Sequence, residues 1–137
     1  MIESELVKIL QRSVTSAVGD SIPVKYIGVN FKKPSNDKYW EIVYIPNNIK
    51  NELWGTGKTY RGIMRLILHW PQNNKGVYTP MEELERVAAY YEKGKKMTDT
   101  SGLIKVTITD NPDLGGVYES ESSLLLPLTI PYLCFKM

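Results

Sequence analysis

Apolar and polar residues alternate over residues 60–70, YRGIMRLILHW. Tyr60, Gly62, Met64, Leu66, Leu68 and Trp70 fall on one face of an extended chain. Arg61, Ile63, Arg65, Ile67 and His69 fall on the other. Successive side chains of a strand point to opposite faces, so the first set predicts a core-facing surface. The second set mixes apolar and charged groups, as on a face that meets water or another subunit. Pro71 has no N–H to donate and predicts the end of the ladder.

The other elements arrange themselves as partners or cover for this strand. Residues 2–18 place Ile2, Leu6, Ile9, Leu10, Val14 and Ala17 at helical spacing. Glu3 and Glu5 suit the positive end of that helix, and Gly19 suits its stop. A short strand is predicted at 24–27 and a strong one at 39–45, rich in aromatic and branched residues. Thr79-Pro80-Met81-Glu82 reads as a helix start, with Thr79 as N-cap, Pro80 at the first helical position and Glu82 completing a capping box. That helix runs over 80–91 with Met81, Leu84, Val87, Ala88 and Tyr91 as its apolar stripe. Gly94 is its expected end, flanked by Lys93, Lys95 and Lys96. Residues 103–109 alternate again, with Ile104, Val106 and Ile108 inward. Residues 122–132 alternate Leu124, Leu126, Leu128, Ile130 and Tyr132 against a second set that contains Pro127 and Pro131. The prolines predict a sheet edge or a place where the ladder is interrupted.

Residues 46–59, PNNIKNELWGTGKT, join two strong strands. Hairpin loops usually run about two to five residues, so this one predicts a protruding arm. The fold class expected is α+β: a mostly antiparallel mixed sheet packed against two helices, with a long protruding β-hairpin loop. No repeat or low-complexity tract appears, and residues 1–137 read as a single domain.

Composition narrows the function. The chain is 42% hydrophobic and 23% charged with a net charge of +2, too mild a balance to imply nucleic acid or a membrane surface. One cysteine, Cys134, excludes an internal disulfide and a cysteine-cluster metal site, and reads as a small buried hydrophobe. The start, MIESELVKIL, resembles neither a signal nor a transit peptide. The apolar run 124–135 is too short and too proline-broken to span a bilayer. A cytoplasmic product, or something assembled there, is the expectation.

Candidate chemistry is sparse. Gly57-Lys58-Thr59 ends like a phosphate-binding loop, but position 52 is Glu rather than Gly and a strand follows, so sequence and context both fail. His69 is the lone histidine, and spacing reveals no nucleophile or carboxylate beside it. No cluster has metal-ligand spacing, so no cofactor and no enzyme activity are expected. Arg61 and Arg65, with Lys58 just before them, could form a basic patch. Such arginines also dock against carboxylates in protein interfaces, whereas a nucleic-acid module would bind DNA with a steep salt dependence. Trp54, beside Leu53, sits in a loop without core periodicity and reads as an interface residue.

The succession of helix, strand, long glycine-containing loop, Tyr60-Arg61-Gly62 opening a central strand, second helix, and a close in Leu126-Pro127-Leu128-Thr129-Ile130-Pro131-Tyr132 resembles the small tail-terminator, or tail-completion, proteins of lambda-like long-tailed phages. The resemblance covers nearly the whole chain. It implies a structural virion protein without catalysis. Such proteins form a ring, commonly of six subunits, on the head-proximal end of the tail tube. The ring stops polymerisation of the tube protein and presents a surface to the head–tail connector protein. Membrane and specific nucleic-acid partners are not implied. Assembly in the host cytoplasm and a final place in the virion follow. Leu53, Trp54, Lys58, Arg61 and Arg65 become expected subunit or tail-tube contacts. A neck or head-completion protein bridging connector and tail is the alternative within this class.

Overall fold

The computed structural model describes residues 3–46, 59–72, 76–120 and 122–136. The elements run α1 (Glu3–Val18), β1 (Val24–Lys25), β2 (Tyr39–Pro46), β3 (Thr59–Pro71), α2 (Tyr78–Tyr90), β4 (Lys96–Thr98), β5 (Ile104–Ile108), β6 (Asp113–Leu114), β7 (Tyr118–Glu119) and β8 (Ser123–Lys136). The sheet order is β1-β2-β3-β8-β5-β4, with β6 and β7 also paired to β8. The β1–β2 pair is parallel and the other pairings are antiparallel. The α+β class with a mostly antiparallel sheet against two helices is therefore correct. The arm expected within 46–59 lies almost wholly outside the described residues, as do Leu53, Trp54 and Lys58.

Alternation sets the core. Met64, Leu66 and Leu68 of β3 and Leu126 and Ile130 of β8 are fully buried, as are Val106 and Ile108 of β5. Each fully buried aliphatic side chain contributes roughly 1.5–3 kcal/mol. Helix α1 adds Leu6, Ile9, Leu10 and Val14 from its apolar stripe, and α2 adds Leu84 and Val87. Gly19 ends α1 in the left-handed region, with φ of 76° and its N–H bonded to Thr15 O at 3.1 Å.

Two contacts clamp the helices together. Arg86 of α2 donates from Nη1 to Ala17 O at 3.2 Å and from Nη2 to Val18 O at 2.8 Å. Helix α1 has no basic residue in its own last turn, so a cation from another element serves its carbonyl end. The hydroxyls of Ser13 and Tyr91 meet at 2.8 Å, and Ser13 Oγ also donates to Leu10 O at 2.6 Å.

Several expectations need correcting. Helix α2 starts two residues earlier than its apparent capping box. Val77 is the N-cap, and Thr79 and Pro80 lie inside the first turn. The first N–H groups of a helix have no intrahelical partner, so Pro80 loses nothing there and buries its ring instead. The helix ends at Tyr90 with Tyr91 as C-cap, close to the expected run to 91, but Gly94 is not its stop. Gly94, with φ of 89°, donates to Ile108 O at 2.8 Å and opens the β4–β5 hairpin, and Lys96 belongs to β4. The strand expected at 24–27 shortens to Val24–Lys25.

The proline-bearing strand is not an edge. β8 lies in the middle of the sheet and pairs with β3 from Thr59↔Phe135 to Pro71↔Ser123. The interrupted-ladder alternative holds on its other flank. There β5 pairs with residues through Tyr132, β6 with Thr129 and Leu128, and β7 with Leu125 and Leu124. Pro131 and Pro127 fall in the two gaps. Their carbonyls accept from Thr109 and Gly115 on that flank, which is where their missing N–H groups would also point.

Candidate assembly interface

Helix α2 packs on one face of β3 and β8 and α1 on β4 and β5, and Met64, Leu66, Leu126 and Leu128 lie in the shared buried core. The alternate side chains therefore form the opposite face: Arg61, Ile63, Arg65, Ile67 and His69 of β3, between Glu41 and Val43 of β2 and Leu125, Pro127 and Thr129 of β8. Arg61 is exposed and the rest of this set is half-buried. Apolar groups therefore alternate with charges on a surface that no described helix covers.

Arg61 and Arg65 share this face, four residues and roughly 13 Å apart along the strand, and they border different hollows. Arg61 lines a cavity of about 400 Å³ with Ile45, Pro46, Ile63, Thr109 and Pro131 at the outer end of the sheet. Gly62 closes this end. Its Cα approaches so near that an added Cβ would lie 2.6 Å from the Ile45 carbonyl oxygen and 2.6 Å from the Tyr132 hydroxyl. Arg65 stands opposite Val43 and Thr129 and donates from Nε to Thr129 Oγ1 at 3.4 Å. With Ile67, Tyr118, Leu125 and Pro127 it lines a second cavity of about 300 Å³.

At the other end of the face, His69 Nε2 and Glu41 Oε1 lie 2.9 Å apart. This is the carboxylate that spacing could not supply; the register Tyr39↔His69 puts Glu41 diagonally across. Glu41 also meets Lys25 Nζ at 3.6 Å, so one carboxylate ties β1, β2 and β3. The His69 ring stacks on Tyr39 at 4.1 Å. Cys134 is fully buried, and burial pushes its thiol up to about 11, with the charge of Asp99 adding to the rise. It is a packed hydrophobe with little thiolate. Among the described residues no group of three or more His, Cys, Asp or Glu could hold a metal ion.

Sequence reading placed Arg61 and Arg65 on one surface but missed Tyr118, Leu125 and Pro127 as neighbours of Arg65. Tyr118 comes from the two-residue strand β7, which has no periodicity long enough to read, and Leu125 and Pro127 come from β8, whose pairing beside β3 no local pattern gives.

Comparison with known proteins agrees with this architecture. A solved protein structure superposes with a TM-score of 0.74 at 18% identity, covering 99% of this chain and 94% of that one, which shows a shared fold. No protein with a curated description matches. The sequence profile of the phage tail terminator proteins matches residues 2–132. The chain belongs to the phage tail terminator family, and is a structural component of a phage tail.

Proposed function

We propose that this chain, as one domain over residues 1–137, caps the head-proximal end of the tail tube as a homo-oligomeric ring of six subunits. The ring stops polymerisation of the tube protein and offers a joining surface to the head–tail connector. It is built in the host cytoplasm and ends in the virion. No catalytic step is involved.

Family membership supports the tail role. The observation that carries assembly is the outer face of β2, β3 and β8, where arginines alternate with half-buried apolar residues and no described helix lies over them. Monomeric proteins seldom leave such a face without use. Leu53, Trp54 and Lys58, in the connection that precedes β3 in sequence, complete the proposed contact set with Arg61 and Arg65.

The test is tail length. Tube protein of the same phage is polymerised with and without the chain and measured by electron microscopy. Tubes of bounded length with the chain added, and overlong tubes without it, are expected. Deleting residues 50–57 should leave folding intact and abolish bounding. Binding to the connector without binding to the tube would overturn the cap and point to a neck protein instead.

A further inference from the structure

On the outer sheet face and at the start of α2, Arg65 and Glu82 each have no ion pair among the described residues. Arg65 is half-buried among apolar side chains, and its bond is to a neutral hydroxyl, that of Thr129. Among the described residues no carboxylate pairs with it. A guanidinium held against apolar walls without a counter-ion is unfavourable, and a carboxylate delivered there relieves it.

On the other side of the molecule, Tyr78 opens α2 with 78% of its surface exposed, the largest fraction for any large hydrophobic side chain among the described residues. Glu82 follows one turn later. It is exposed and has no ion pair among the described residues. Positions i and i+4 of a helix are neighbours, roughly 6 Å apart, so Tyr78 and Glu82 present a ring and a carboxylate together. The 300 Å³ cavity offers the complement: Ile67, Leu125, Pro127 and Tyr118 for a ring, Arg65 and Thr129 for a carboxylate.

The two surfaces cannot meet within one chain. Helix α2 packs on the core face of β3 and β8, and the cavity opens on their opposite face. They can meet between copies, head to tail, which is the interface type that closes into a ring. We infer that the cavity around Arg65 docks the exposed start of α2, Tyr78 and Glu82, from a second copy of this chain. The inference deepens the ring reading and rests on it.

The test is a reciprocal charge swap, read by sedimentation equilibrium of the full chain at low salt up to about 1 mM. Arg65→Glu alone and Glu82→Lys alone each set like charges against each other and should weaken self-association at least about tenfold. Mixed in equal amounts, every contact pairs opposite charges, and association should return. Tyr78→Ala should weaken association while leaving the salt dependence unchanged. Glu82 and Tyr78 are exposed, so their variants fold even if Arg65→Glu does not. Wild-type association in Glu82→Lys or Tyr78→Ala overturns the docking. So does a mixture that fails to recover, or a wild-type chain that stays monomeric throughout. Tube capping is measured separately. Capping by a ring that forms through another surface would overturn the docking and leave the cap standing. A ring that forms through this contact but does not bound tube length would do the reverse.

Discussion

Replacing Gly62 with alanine asks how tightly β2, β3 and β8 close over the outer end of the sheet. The new Cβ would lie 2.6 Å from the Ile45 carbonyl oxygen and 2.6 Å from the Tyr132 hydroxyl, well inside contact distance. Neither neighbour yields easily. Ile45 is held in the ladder opposite Ile63, and Tyr132 is 2% exposed and stacked with Tyr44 at 6.3 Å. Without this crowding, glycine to alanine in a strand would stabilise by about 0.4–1 kcal/mol, by restricting the unfolded chain. Overpacking in a closed site costs about 1–3 kcal/mol. The crowding wins, and a net loss of about 1–2 kcal/mol is expected. For a chain of this size that lowers Tm by roughly 3–8 °C. Urea and thermal unfolding followed by circular dichroism measure it, with the m-value unchanged. Gly115→Ala is the control. Its Cβ meets nothing closer than Pro127 Cγ at 3.4 Å, an acceptable contact, so its stability should stay within about 0.5 kcal/mol of wild type. A Gly62→Ala variant as stable as wild type, or more stable, would refute the close approach.

Arg86→Ala should cost about 1–2 kcal/mol in urea unfolding, because it strips the Ala17 and Val18 carbonyls of their donors. Thr79→Ala should change stability by less than about 0.5 kcal/mol; the roughly 1 kcal/mol loss expected of an N-cap would mean that Thr79 caps α2 after all. Raising the pH should destabilise the chain in two stages. Burial raises both the Cys134 thiol, to about 11 from 9.0, and the Tyr91 phenol above its usual 10.0. The unfolded chain therefore loses each proton first, and stability is full below pH 9 and falls as pH rises through the folded values. Unfolding scans from pH 8 to 11 should show the fall, and Cys134→Ala should delay its onset.

The period-two patterns at 60–70 and 103–109 were legible because a strand's faces are set by local geometry alone. The structure buries Met64, Leu66, Leu68, Val106 and Ile108 as the alternation requires. The stripe of α1 was legible for the same reason, its period being that of the helix. Arg61 and Arg65 could be placed on one face by counting, but not given their cavities. Those depend on β8 and on Tyr118 arriving from distant parts of the chain.

Where a local signal competed with packing, packing prevailed. The apparent cap at Thr79 lost to an earlier start that buries Pro80. Pro127 and Pro131 suggested an edge, yet β8 is central. A proline forbids one hydrogen bond on one flank; it does not forbid the strand. Which flank, and whether a partner there needs that bond, depends on how β5, β6 and β7 divide the length of β8 among them. Strand identity and inward faces thus follow from nearest-neighbour chemistry along the chain. Strand order, the Glu41–His69 pair and the Arg65–Thr129 contact arise from contacts between residues far apart in sequence, and they exist only once the chain has closed on itself.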